Sequence, residues 1–247
     1  MPERIIPPKT ALLADIHGNS PALEAVIEDI QRSGCARVFV LGDIINGVDP
    51  AGCLALLRQW RDRAAIELTC LKGNAEAYLL TPDLGALPKN DEPWNDDLVE
   101  LIQWYRARLT AIDLDWIASF ADFVRWKDAG LAHDSPVDRL SPQSWHDPGI
   151  EDRYQEWFFD SPGIFPDMAE AEWEKLLACM EEYHLRQVFC AHTHVPFCQE
   201  IGEKLVCNVG SVGAPLDGGR RTGDYYPAGG VRHRQNLRAH RSDSGLP

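Results

Sequence analysis

The chain has no apolar run approaching the roughly 18 residues that a membrane-spanning helix requires, so a helical span is not expected. Its first nine residues are short and proline-rich. They have neither the apolar stretch nor the small-residue cleavage site of a secretory leader. There is no CxxC pair, and no internal repeat. The seven cysteines (35, 53, 70, 179, 190, 198 and 207) are an odd number, mostly set inside apolar runs. The expectation is buried free thiols in a reducing cytoplasm, not a disulfide framework. Positive charge is scarce: 24 Lys and Arg stand against 38 Asp and Glu, a formal net charge of −14. A non-specific nucleic-acid binder needs a cationic face, so that class is disfavoured. An enzyme whose metal ions attract an anionic substrate locally is not excluded.

What is present, 247 residues, is enough for one large domain or two small ones, with a sizeable core. Residues 11–14 form a short apolar run that breaks at Asp15. Ser20-Pro21 then reads as an N-cap followed by proline at the first helical position. Leu23, Val26, Ile27 and Ile30 fall at helical spacing, and Gly34 closes the helix. Residues 38–41 read as a buried strand ending at Gly42-Asp43. Residues 50–60 read as a helix, and 66–71 as a strand followed at once by Gly73-Asn74. Strand, polar tip and helix thus repeat, which argues for an α/β fold with a parallel sheet, whose ligands bind beyond the carboxyl ends of the strands. Leu98, Leu101, Ile102, Tyr105 and Leu109 mark an amphipathic helix, and a shorter helix is expected over 112–120. Residues 123–126 and 130–133 read as a strand pair or one bent strand. A helix is expected around 173–180 and a strand over 187–191. A hairpin is expected from 197–201 and 204–209 joined by Gly202-Glu203.

Five pieces stand at or just past the ends of these apolar runs: Asp15-Ile16-His17, Gly42-Asp43, Gly73-Asn74, His133, and His192-Thr193-His194. Together they supply two carboxylates, one amide oxygen and four imidazoles, donors suited to Mn, Fe, Zn or Ni. An Asp at a strand tip can bridge two ions, and two ions about 3.5–4 Å apart can clamp a phosphoryl group and acidify a bound water. Each piece alone has a plainer role, as a polar turn, a strand end or a hydrogen-bonded histidine. Five in succession, each after a β-like run, form a site.

The series resembles that of the calcineurin-like metallophosphoesterases, which carry DxH, GD, GN[HDC], H and GHTH in this order. The phrases Ala14-Asp15-Ile16-His17-Gly18-Asn19 and Asn208-Val209-Gly210-Ser211-Val212-Gly213 are similar to the small bacterial and archaeal phosphodiesterase branch. The resemblance covers roughly residues 10–216. It implies a four-layer αββα sandwich with two divalent ions at the strand C-terminal ends, plus a helical and loop cap insertion. By that likeness Asp15, His17 and His194 hold one ion, Asn74, His133 and His192 hold the other, and Asp43 bridges. A hydroxide shared by the ions attacks phosphorus in line, so Asp43, Asn74 and His133 serve the chemistry as well as the metals. The implied arrangement is a single domain over 1–215, with insertions at about 82–120 and 134–167. It is followed by a divergent tail over 216–247, which holds six Arg against three Asp and is expected to be disordered.

The chain departs from the pattern at Ala75, where many relatives carry a histidine that stabilises the transition state or protonates the leaving group. General acid catalysis contributes typically 10²–10⁴-fold. Glu76 and His146 are candidate substitutes, although a loop histidine is more often merely solvated. Alternatively, the substrate has a leaving group that needs no proton, such as a nitrophenolate or a phosphoanhydride. The position of a frequent phosphate-contacting arginine holds Leu216, and Arg220 or Arg221 are its candidate replacements. Trp145, Trp157, Phe158, Phe159 and Phe165 can stack on a nucleobase, but packing of a cap is their commoner use. The expected partner is a small phosphate ester, nucleotides included, with no membrane, no nucleic acid, and self-association left open. Two rival functions remain: a phosphate-ester-binding protein that keeps the metal site without turnover, and a protein phosphatase or dinucleoside polyphosphate hydrolase.

Overall fold

Three short apolar segments, β1 (Thr10–Leu13), β2 (Arg37–Val40) and β3 (Glu67–Cys70), pair in parallel in that order. The computed structural model describes residues 9–64, 66–82, 84, 94–137, 163, 164 and 167–216. Alternation along β2 shows why its run is apolar throughout: Val38 and Val40 enter one core, while Phe39 and the following Leu41 enter another. A second sheet contains β4 (Phe123–Trp126), β5 (Ala129–Ala132), β6 (Gln187–Cys190), β7 (Phe197–Ile201) and β8 (Lys204–Asn208). Its order is β4-β5-β6-β8-β7, with β5, β6 and β8 parallel and β4 and β7 antiparallel at the edges. Residues 123–126 therefore belong to a true strand pair with β5.

Six helices lie among the described residues: α1 (Ser20–Ser33), α2 (Pro50–Ala64), α3 (Asn74–Leu80), α4 (Trp94–Arg106), α5 (Ala111–Ala118) and α6 (Glu170–Glu182). Leu23, Ile27 and Ile30 of α1 and Leu54 and Leu57 of α2 pack on Leu13, Val38 and Val40 of the first sheet. Full burial of each such side chain stabilises by about 1.5–3 kcal/mol. Phe39, Leu41 and Leu71 meet Leu131, Phe189 and Cys207 between the two sheets. Leu176, Cys179 and Met180 of α6 cover Val188, Cys190 and Val206 on the far face. The layers are helix, sheet, sheet and helix, the expected αββα sandwich. Tyr105, Leu109 and Ile117, from the segment expected to be an insertion, join the first of these cores. No helix among the described residues is long and apolar enough to cross a membrane.

Two local expectations are corrected. The N-cap of α1 is Asn19, whose Oδ1 accepts the Ala22 N–H at 3.2 Å. Ser20 is already helical, and its hydroxyl donates to Asp49 Oδ2 at 2.7 Å. The cysteines are also not all free. In the β7–β8 hairpin, Cys198 sits directly opposite Cys207 with their Cα atoms 4.1 Å apart, and the two are disulfide-bonded. Cys35, Cys53, Cys70, Cys179 and Cys190 are not disulfide-bonded. The cysteine pattern therefore no longer argues for a reducing compartment. Trp145, His146, Trp157, Phe158, Phe159, Phe165, Arg220 and Arg221 lie outside the described residues.

Candidate metal centre

The carboxyl ends of the parallel strands in both sheets open onto one cleft. Asp15 follows β1, Asp43 follows β2, and Asn74 opens α3 after β3. His133 follows β5, and His192 and His194 follow β6. Asp15, His17, Asp43, His192 and His194 all have positive φ, between 49° and 69°. Left-handed backbone costs an L-residue about 1–2 kcal/mol. Asp and His tolerate it better than most, and it persists only where the surroundings over-determine it. Here the chain makes a sharp turn as it leaves the sheet, and that turn aims each side chain across the strand ends.

The seven candidate residues converge. His17 Nε2 lies 2.9 Å from His194 Nε2, and these nitrogens lie 3.6 and 3.3 Å from Asp15 Oδ1. Asp43 stands between two groups, with Oδ2 at 3.7 Å from His17 Nε2 and Oδ1 at 3.6 Å from His133 Nε2. Asn74 Oδ1 is 3.1 Å from both His133 Nε2 and His192 Nδ1. Two triads have ligand atoms close enough to share a cation, Asp15-His17-His194 and Asp15-Asp43-His133.

Three of the imidazoles are oriented from behind. His17 Nδ1 faces Asn46 O at 2.9 Å, His133 Nδ1 faces Leu41 O at 2.7 Å, and His194 Nδ1 faces Ala214 O at 2.7 Å. A carbonyl only accepts, so each Nδ1 carries the proton and each Nε2 presents a lone pair to the cleft. Those lone pairs point at one another and at carboxylate oxygens. Asp15 Oδ1 is buried without a hydrogen-bond partner. Lone pair against lone pair in a buried site is unfavourable unless a cation stands between them. The residues therefore fit divalent metal ions.

The titration behaviour of the metal-free groups shows the same deficit of positive charge. Burial pushes the Asp15 carboxyl upward, but the facing His17 and His194 rings outweigh it and hold it well below the usual carboxylate range. Burial, then the neighbouring Asp15 charge, push Asp43 up to about 6. Burial lowers His17 and His194, yet Asp15 more than reverses this and both stand above an ordinary histidine. His192 is lowered, first by burial and then by His133. Without metal, protons supply part of the missing positive charge.

Glu76 is not at the mouth of the cleft. It is fully buried, and its oxygens accept four backbone N–H groups: Asp43 at 2.9 Å, Ile44 at 2.8 Å, Ile45 at 3.3 Å and Gly73 at 2.8 Å. The expectation that it replaces the missing proton donor is corrected, because both oxygens face the backbone of the loops that carry Asp43 and Asn74. Ala75 contributes its N–H to Asp43 Oδ1 at 2.9 Å, and its methyl has no proton to give. Gly42 stands at φ 95, and a Cβ there would lie 2.5 Å from Gly73 N. The two glycine motifs are thus pressed together, which is why neither carries a side chain.

The 208–213 phrase has a role that the sequence did not reveal. Ser211 Oγ donates to Asp15 O at 2.8 Å, and Gly213 N–H donates to the same carbonyl at 2.9 Å. Asn208 Nδ2 donates to Ala191 O and to Thr193 Oγ1, at 2.6 and 3.0 Å. The segment straps together the two loops that bear Asp15 and His192-Thr193-His194.

A family model described as calcineurin-like phosphoesterase matches residues 8–196. Uncharacterized protein MJ0912 of Methanocaldococcus jannaschii is 25% identical over 229 residues, which span 84% of this chain and 77% of that protein. The crystal structure of a metallophosphoesterase from Sphaerobacter thermophilus aligns with a TM-score of 0.55 at 21% identity, covering 85% of this chain and 79% of its own. That of hypothetical protein PH1004 from Pyrococcus horikoshii OT3 aligns with a TM-score of 0.62 at 18% identity, covering 83% and 77%. At these identities the solved structures speak for the fold alone.

Proposed function

The chain belongs to the calcineurin-like phosphoesterases, and from that premise we propose that it hydrolyses phosphodiesters or phosphomonoesters at a dinuclear metal centre. Asp15, His17 and His194 would hold one ion, Asn74, His133 and His192 would hold the other, and Asp43 lies between the two groups. The observation that carries this reading is the set of lone pairs turned inward on the unpartnered Asp15 Oδ1. Bound there, divalent ions would acidify water and offset the charge of the phosphoryl oxygens.

The protein's own part is orientation. Backbone carbonyls of Leu41, Asn46 and Ala214 keep the Nδ1 proton on His133, His17 and His194, so that each Nε2 is the donor atom. The Ala75 N–H holds Asp43 Oδ1 and so fixes the plane of its carboxylate. Glu76 locks the Asp43 loop to Gly73, which sets the distance from Asp43 to Asn74. Ala75 gives no proton to a departing alkoxide, so the substrates served best are esters of acidic alcohols and phosphoanhydrides, small nucleotides among them.

The test is hydrolysis of bis-p-nitrophenyl phosphate and p-nitrophenyl phosphate by the full chain with added Mn²⁺. Turnover of either that a chelator abolishes is expected. A folded, metal-loaded protein inactive on both and on nucleotide substrates overturns the catalytic reading. Ala75 also supports a second one, in which the protein binds a phosphate ester at the metals without turnover. Saturable binding of p-nitrophenyl phosphate with no release of nitrophenolate would favour it.

A further inference from the structure

Helix α4 comes from the part of the chain that carries none of the metal motifs, yet one of its side chains reaches the loop that backs His17. Ile102 and Tyr105 of the helix, and Leu109 just beyond its end, are buried. Arg106 anchors the helix to the end of α3, with Nε and Nη2 donating to Leu79 O at 3.0 and 2.8 Å and Nη2 also donating to Thr81 O. So fixed, Tyr105 is buried with its hydroxyl directed at the loop after Asp43. That hydroxyl donates to Asn46 Oδ1 at 3.1 Å. The Gly47 N–H closes a tight turn onto Ile45 O at 2.8 Å. Asn46 is therefore held at its side-chain amide by Tyr105. Its backbone carbonyl accepts the Nδ1 proton of His17 at 2.9 Å.

We infer that Tyr105 is a positioning residue for the metal centre: it fixes Asn46, and through the Asn46 carbonyl the tautomer and direction of His17. The inference rests on the proposed metal-binding role of His17. A ligand's outer hydrogen-bond partner sets which ring nitrogen is free and how the ring is aimed, and losing such a partner typically weakens metal binding 10–100-fold. Tyr105 acts one peptide further out, so a loss near tenfold is expected, confined to the ion that His17 holds. The other ion, held by residues Tyr105 does not reach, keeps its affinity. Structural packing alone predicts neither effect for Tyr105→Phe, because the ring stays and only the hydroxyl leaves.

The experiment uses the full chain and its Tyr105→Phe variant, with two readouts. Titration with Mn²⁺ followed by electron paramagnetic resonance should show two binding events in the unaltered protein. In the variant, one should weaken about tenfold and the other stay within a factor of two. Separately, ¹⁵N NMR of the ring nitrogens in chelator-treated protein, at an alkaline pH where the raised His17 ring is neutral, should show His17 as a single Nδ1–H tautomer. In Tyr105→Phe that signal should become a tautomer mixture. Identical Mn²⁺ titrations of the two proteins, or an unchanged His17 signal in the variant, overturn the inference. If the unaltered protein binds no Mn²⁺, the proposed function fails, and the His17 signal alone then decides the role of Tyr105.

Discussion

Glu76→Gln removes one negative charge without changing the shape of the side chain, and its effect can be worked out atom by atom. The carboxylate accepts four backbone N–H groups, two on each oxygen. A glutamine has one accepting oxygen. If that oxygen keeps Ile44 and Ile45, the new NH₂ faces the N–H groups of Asp43 and Gly73, donor against donor. A buried donor left without an acceptor costs about 1–3 kcal/mol, so two cost about 2–6 kcal/mol. This is a large share of a total stability of about 5–15 kcal/mol. One effect opposes the loss: burial, then repulsion from Asp43, push Glu76 up to about 6 from its usual 4.5. A carboxyl raised in the folded state lends stability that is fully present below its unfolded pKa and is lost as pH rises through the folded one. The mutant has no such group. Its deficit relative to the original protein should therefore be largest near pH 4.5 and narrow by pH 7. Urea unfolding of chelator-treated proteins, followed by circular dichroism at both pH values, measures this. Equal stability of the two proteins at pH 4.5, or a gap that widens towards pH 7, refutes the reasoning.

Three further outcomes are expected. Asp43→Ala should retain the fold but lose bound metal and nearly all activity, and metal analysis with unchanged stoichiometry would remove Asp43 as the bridge. Gly42→Ala places a methyl at positive φ and 2.5 Å from Gly73 N, which no rotamer can relieve. It should cost at least about 1–3 kcal/mol, and a urea midpoint equal to that of the original chain would contradict the close approach. Metal affinity should fall as pH drops, because Asp43 is pushed up to about 6 and His17 and His194 are also raised, so each ion must displace protons. A loss of at least about tenfold in Mn²⁺ affinity from pH 7 to pH 5 is expected for one displaced proton. An affinity independent of pH over that range would show that these groups are not protonated in the metal-free protein.

Much of the architecture was legible because the period of the apolar residues reports the faces of each element. The run at 38–41 has no polar alternation, which fits a strand covered on both sides, and Gly34 ends α1 at φ 69 as a left-handed cap should. The disulfide was also within reach. Pairing residue 201 with 204 across Gly202-Glu203 sets 198 against 207, so the hairpin already placed those two cysteines face to face. Asn19 and Ser20 are both good caps, and only the exit angle of the loop chose between them. Glu76 was misassigned because burial is not written in a residue's identity. A carboxylate beside a metal ligand reads as chemistry until its oxygens are found against four backbone amides.

The sequence by itself determined which donors exist and that each follows a strand, since ligand type and hydrophobic period are local properties. Only the tertiary structure decided how those donors face one another. His17 meets His194 across 177 residues, and Tyr105 meets Asn46 across 59. The stacking of two separately wound sheets brings their strand ends to one cleft, and no local pattern encodes that register. The same packing removes water from Asp15 and Asp43, and in a dry site the inward lone pairs become a demand for cations.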